Sequence, residues 1–273
     1  MMRKELRAPA PKTIPVALTV AGSDSGGGAG IQADLKTFAA LRVHGTSVVT
    51  CLTAQNPKRI LAVEACSSGF VREQLQAVFE VFSPQAVKTG MLYSAELARA
   101  VVAFLKACKA RPLLVVDPVL VATSGRRLLQ PSALEILQEE LLPLATLVTP
   151  NLAEAEALTG LTIRNPEDMR QAARQISSRF GCAAVVKGGH LKGGGEFAVD
   201  IFFDGREELL LSAPMIRGGS VHGTGCVYAA AITALLARGL KLPEAVTCAK
   251  QHISNAIAQH INVRGISVLD YLP

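Results

Sequence analysis

The chain has 273 residues, 49% hydrophobic and 18% charged, with a formal net charge of +6. That apolar content supplies a sizeable core and so little charge excludes disorder, while 4% aromatics and no Trp leave little for bases to stack on, which argues against nucleic-acid binding. The longest apolar runs fall far short of a bilayer span, and residues 1–13 read as a loose basic, Pro-rich tail without the apolar stretch of a signal peptide, so the expectation is a soluble cytoplasmic protein with no membrane contact.

Residues 16–21 are a short apolar, β-branched run ending at glycine, which predicts a buried first strand. The glycine-rich loop 22–30 follows, then a helical pattern through Ile31, Leu35, Phe38 and Leu41. Residues 47–54 form a second strand, ended by Gln55-Asn56-Pro57, and 60–65 a short edge strand. An amphipathic helix over 70–82, a strand over 86–88 and a helix over 94–109 come next. The strand 113–116 closes on Asp117-Pro118, and a loop carries Thr123-Ser124-Gly125. Residues 131–142 are helical with Pro at the start, as helices prefer. The strand 145–148 ends at Thr149-Pro150-Asn151, where Asn151 can cap the next helix. A helix over 166–180 and a strand over 183–187 lead to Gly188-Gly189-His190. The runs 197–203 and 207–211 flank Asp204-Gly205, the strongest short hairpin signal. Helices over 225–237 and 243–261 finish the chain.

Strand and helix alternate almost throughout, and helical crossovers imply parallel strands covered on both faces. No linker or repeat interrupts residues 14–273, which predicts one doubly wound α/β domain, mostly parallel. In such folds ligands bind at the carboxyl ends of strands. Asp24, Gln55, Gly90, Asp117, Asn151, Lys187 and Gly188 gather at those predicted ends, although each taken alone is also an ordinary turn former or cap.

The run from Gly218 to Leu236 joins glycines directly to Ala- and Leu-rich sequence of strong helix propensity. It predicts a helix N-terminus whose free N–H groups at Gly223, Thr224, Gly225 and Cys226 make an anion site suited to phosphate. Cys226 lies where the helix dipole favours thiolate and could serve as a base. The alternative is a glycine turn before a buried helix, with Cys226 as a small core residue. The other five cysteines show no C-x-x-C or zinc spacing and are expected to be reduced.

The first glycine loop matches G-x-G-x-x-A at Gly28 to Ala33, but no acid lies between Asp34 and Glu64 to hold a dinucleotide's ribose. No G-x-x-x-x-G-K-S/T occurs either. A phosphate site at the late G-T-G-C helix, with Mg²⁺ held elsewhere, fits better.

The stretch from Ala21 to Lys36 closely resembles the opening of hydroxymethylpyrimidine/phosphomethylpyrimidine kinases, members of the ribokinase-like superfamily. The likeness continues in order through T-A-Q-N (53–56), K-T-G-M-L (88–92), V-D-P-V (116–119), T-P-N-L-A-E-A-E (149–156), K-G-G-H (187–190) and H-G-T-G-C (222–226). The resemblance implies ATP-dependent phosphorylation of a pyrimidine hydroxymethyl group and then of the monophosphate, in thiamine biosynthesis. It places the pyrimidine against Asp34, Gln55 and Met91, with Gly22 and Val119 lining the pocket. It assigns Asn151 and Glu154 to organising Mg²⁺ and water near the ATP phosphates, Glu154 reaching the metal through water. Lys187 is the implied phosphate contact, Gly223 to Gly225 the anion hole, with Thr224 also on the nucleotide side, and Cys226 the base. A homodimer is expected.

The chain departs from the family pattern at Thr123, where a lysine is usual, at Ser220-Val221, and in its ending, G-I-S-V-L-D-Y-L-P. A lost lysine near the phosphates weakens the expectation for the second step more than for the first. Two other functions compete: a pyridoxal kinase, since some relatives with cysteine here phosphorylate vitamin B6, and a catalytically silent precursor-binding protein. Gln55 and Met91 favour a pyrimidine, and the set Asn151, Glu154, Lys187 and Cys226 favours catalysis.

Overall fold

The computed structural model describes residues 13–121, 128–189, 191, 196–216 and 222–272. Thr123, Ser124, Gly125, His190, Ser220 and Val221 lie outside them. In chain order the elements are β1 (Val16–Asp24), α1 (Gly30–Ala40), β2 (His44–Asn56), β3 (Arg59–Ala65), α2 (Ser68–Val81), β4 (Ala86–Thr89), α3 (Ala95–Ala107) and β5 (Leu113–Val116). They continue with α4 (Pro131–Ile136), β6 (Leu147–Val148), α5 (Leu152–Thr159), α6 (Pro166–Phe180), β7 (Ala183–Lys187), β8 (Phe197–Phe203) and β9 (Glu208–Pro214). The last are α7 (Thr224–Ala237), α8 (Leu242–Ala258), β10 (Ile261–Val263) and β11 (Ile266–Val268).

Nine strands form one sheet in the order β3-β2-β1-β4-β5-β6-β7-β8-β9. From β2 through β7 every pairing is parallel, as the helical crossovers require. Antiparallel β3 closes one edge, and the β8–β9 hairpin extends the other. The chain leaves β1 toward β2 and later returns to β4 on the other side of β1, so the order reverses beside β1. Such a reversal opens a crevice at the carboxyl ends of β1 and β4.

Alternation along each strand feeds two cores. Leu18, Val20 and Val87 face the layer of α2 to α6, whereas Ala17, Ala86 and Val115 face α1, α7 and α8. Helix α7 is buried on all sides from Val227 to Ala237, as befits a helix without a polar stripe. Its first turn therefore ends inside the molecule, at the crevice.

Three elements differ from expectation. The helix expected over 131–142 is regular only to Ile136, then widens into a π turn over Leu137–Leu141 and tightens to a 3₁₀ turn over Leu142–Leu144. Pro143 has no N–H with which to continue an α-helical ladder. The strand expected over 145–148 narrows to Leu147–Val148. The last helix stops at Ala258, and 261–268 form a hairpin instead. Arg264 and Gly265 both have positive φ, +50° and +84°, the backbone of a tight hairpin turn.

Candidate active site

The carboxyl ends of β1, β4, β5 and β7 and the first turn of α7 enclose a cavity of about 740 Å³. Gly22, Gln55, Met91, Val119, Asn151, Glu154 and Lys187 line it together with Gly223 to Cys226. Residues up to 204 positions apart, from Gly22 to Cys226, are thus brought to one wall. Asp34 is not on that wall. It lies behind it, fully buried.

The first turn of α7 is shaped by backbone. Gly223 caps it with φ +87°, and a Cβ there would stand 1.8 Å from the Gly28 carbonyl oxygen. Only glycine allows both that backbone and that approach, so the two glycine-rich segments pack directly on each other. A Cβ on Gly225 would stand 3.2 Å from Lys187 Nζ, which places the ammonium over the helix N-terminus. Donors, dipole and lysine converge on one point, an arrangement suited to an anion.

Lys187 Nζ donates to Asp117 Oδ1 at 3.1 Å, an acceptor that Thr149 Oγ1 also reaches at 3.3 Å. Burial disfavours the lysine's charge, but Asp117 and Glu154 outweigh it and hold its pKa above the ordinary value. Asn151 caps α5 by accepting from Glu154 N at 3.0 Å, and Glu154 Oε2 accepts from Asn151 N at 2.9 Å. Glu154 Oε1 accepts from Leu120 N at 3.2 Å. Burial raises the Glu154 carboxyl's pKa, against the pull of Lys187. The Leu120 bond ties this corner to Val119, a β-branched residue with φ +47°. Left-handed backbone at such a residue costs on the order of 1–3 kcal/mol, held here by its neighbours.

Across the cavity, Asp24 collects the first glycine loop. Its Oδ1 accepts from Gly26 N at 2.8 Å, and its Oδ2 from Gly28 N at 3.1 Å and Ala29 N at 2.8 Å. Burial alone would raise this carboxyl's pKa, but the bonds from His222, Gly26 and Ala29 hold it below the usual value. His222 Nε2 stands 3.4 Å from Asp24 Oδ2 and 3.0 Å from the Gln55 side-chain amide.

Behind the wall, Asp34 on α1 accepts from Thr19 Oγ1 at 2.6 Å and Lys88 Nζ at 3.0 Å, all in the layer beneath α7. Both charged partners have no exposed side-chain surface. Burial pushes the Asp34 carboxyl up against the pull of Lys88, and Asp34 in turn raises Lys88 despite its burial. Lys88 and His222 were parts of motifs with no role of their own, and the structure puts His222 on the cavity wall and Lys88 directly behind it.

The reading of Cys226 as a dipole-stabilised thiolate is corrected. Burial pushes its thiol up to about 11, Lys88 and a Gly30 backbone bond pull the other way, and Asp117 and Asp34 add to the rise. A dipole argument from local sequence omits that desolvation.

Among the described residues no group of three or more His, Cys, Asp or Glu is placed to hold a metal, and no helix is long and apolar enough to cross a membrane.

The sequence profile of the phosphomethylpyrimidine kinase family matches residues 24–268. A hydroxymethylpyrimidine/phosphomethylpyrimidine kinase of Rhizobium meliloti is 51% identical over 244 residues, 89% of this chain and 90% of that protein. The ADP complex of Bacillus subtilis pyridoxal kinase superposes with a TM-score of 0.87 at 36% identity, covering 95% of this chain and 98% of that one. A phosphomethylpyrimidine kinase from Clostridium difficile superposes with a TM-score of 0.79 at 43% identity, covering 90% and 100%. With a profile match over nearly its whole length and relatives of matching extent, the chain belongs to the phosphomethylpyrimidine kinase family, of ribokinase-like fold.

Proposed function

We propose that this chain transfers the γ-phosphate of ATP to the hydroxymethyl oxygen of 4-amino-5-hydroxymethyl-2-methylpyrimidine, and then a second phosphate to the monophosphate, in thiamine biosynthesis. One observation carries the reading. The α7 N-terminus, with Lys187 above it, opens into the same cavity as Gln55 and Met91. An anion site and a small-ring pocket therefore share one space.

Phosphoryl transfer needs mainly positioning and charge stabilisation. The N–H groups of Thr224, Gly225 and Cys226 and the Lys187 ammonium stabilise the charge that develops on the transferred group. The acceptor oxygen bonds to phosphorus as the bond to the bridging oxygen of ADP breaks, and the leaving electron pair stays with ADP. The acceptor's proton goes to Cys226 in its thiolate form, the minor form at neutral pH, so turnover rises with pH. Mg²⁺ neutralises phosphate charge when bound. Glu154 is already engaged by two backbone donors and the neighbouring Asp117 by Lys187, a setting that suits an ion that keeps its waters. Asn151 positions Glu154 through the capping box.

Gln55 and Met91 contact the pyrimidine, with Gly22 and Val119 beside them. Asp34 acts from behind, through Lys88. Leu52 on β2, Leu61 on the edge strand β3 and Phe70 on α2 are exposed, and support a homodimer.

A pyridoxal kinase is the second reading, favoured by the superposition on the Bacillus subtilis enzyme. ADP release measured with the pyrimidine alcohol, its monophosphate and pyridoxal decides. The proposal requires the highest kcat/KM on the pyrimidine alcohol; a higher value on pyridoxal gives the second reading, and no ATP-dependent turnover of any alcohol removes both.

A further inference from the structure

The Gln55 backbone is fixed from both sides by Ser25: its N–H donates to Ser25 Oγ at 2.8 Å, and its carbonyl accepts from the same hydroxyl at 2.8 Å. What remains adjustable is the side-chain amide. Its oxygen and nitrogen ends have the same shape, so the partners decide which end faces which way.

One end lies 3.0 Å from His222 Nε2 and the other 3.2 Å from Thr53 Oγ1. Thr53 has a single hydroxyl proton, and the Ser23 carbonyl takes it at 2.9 Å. Thr53 Oγ1 is then an acceptor toward Gln55 and calls for the amide nitrogen. His222 Nε2 also faces Asp24 Oδ2 at 3.4 Å, a carboxylate held ionised by three backbone N–H groups. A bare ring nitrogen would set its lone pair against that charge, whereas an N–H donates into it. The proton on Nε2 then calls for the amide oxygen at its side. With nitrogen toward Thr53 and oxygen toward His222, the Thr53 hydroxyl meets the Ser23 carbonyl and one amide N–H meets Thr53 Oγ1. The Nε2 proton lies between Gln55 and Asp24 Oδ2, with no donor set against a donor. The reverse orientation sets amide N–H against imidazole N–H at 3.0 Å, a clash of two donors.

We propose that His222, anchored by Asp24, is the positioning residue that sets the polarity of the Gln55 amide, and thereby which ring edges the acceptor pocket accepts. The inference deepens the pyrimidine-kinase reading and rests on it for the identity of the ring. An aminopyrimidine and a pyridine alcohol offer different donors and acceptors, so an amide locked in one orientation discriminates between them.

The ¹⁵N shifts of His222 in the ligand-free protein report the ring proton without any substrate. The expected result is a protonated Nε2, whatever the state of Nδ1. His222→Phe removes the donor, and the ratio of kcat/KM on the pyrimidine alcohol to that on pyridoxal should then fall by about tenfold or more, the scale of an unpaired polar contact. A bare Nε2 with the proton on Nδ1 overturns the proposal, and so does an unchanged ratio in a folded His222→Phe. Should the parent turn over neither alcohol, the kinase reading fails while the ring-proton measurement still decides the amide's orientation.

Discussion

Replacing Lys88 by Met tests the electrostatics beneath the site. The lysine and Asp34 have no exposed side-chain surface and lie 3.0 Å apart. Lys88→Met keeps the side-chain volume and leaves Asp34 with Thr19 as its one hydrogen-bond donor, while Oδ1 already has no partner among the described residues. Breaking a buried pair from one side costs about 3–5 kcal/mol, because the stranded charge stays desolvated. Asp34 meets that cost by keeping its proton, since burial already raises its pKa and the lysine's opposing pull is gone. The folded pKa then lies above the unfolded value of about 4, so the folded chain binds the proton more tightly. Asp34's contribution to the variant's stability is therefore least unfavourable below about pH 4 and grows more costly as pH rises toward the folded pKa. Urea unfolding at pH 5.5 and 8 should show Lys88→Met destabilised at both and more so at pH 8. Lys88→Met combined with Asp34→Asn should recover much of the loss and all of the added pH dependence. A single variant within about 1 kcal/mol of the parent, or a double variant no better than the single, would refute this account of the pair.

Cys226→Ala should lower kcat by about 10²–10⁴ with little change in acceptor KM, and Cys226→Asp should restore part of it. Because burial holds the parent thiol near 11, parent kcat should climb from pH 6 to 9 while that of Cys226→Ala stays flat; parallel profiles make Cys226 a packing residue. Glu154→Gln should lower activity in a way that added Mg²⁺ partly restores, and a tight metal site without nucleotide, seen by calorimetry, contradicts the indirect role. Gln55→Ala should raise the pyrimidine KM by an amount equivalent to about 1–3 kcal/mol, and a weakened ATP KM instead would move Gln55 to the nucleotide side.

Much of the architecture was legible because its signals are local. Short, largely apolar segments closing on Gly or Asp mark the parallel strands β1, β4, β5 and β7, and residues at those ends become the cavity wall. Asp204-Gly205 gave the β8–β9 turn, where Asp204 accepts from Arg206 N and Glu207 N. The later hairpin was missed because the α8 pattern runs into Ile261 and its turn, Arg264-Gly265, has Arg where Asn or Asp would mark a hairpin. Lys88 gave no local sign, since its partner is 54 positions away and its strand looks like any other. The upward push on the Cys226 thiol is not readable locally for a related reason. The dipole is readable from a helix start, but the layer that desolvates the thiol comes from α1, β4 and β5, elements distant in the chain.

The central claim is that phosphate passes from ATP to the pyrimidine alcohol at the N-terminus of α7. ³¹P NMR of the protein with ATP, Mg²⁺ and the alcohol follows that atom directly. The account predicts a phosphomonoester that grows as ADP appears, later converting to a diphosphate ester. ADP accompanied only by inorganic phosphate, or no change in ATP, would contradict it.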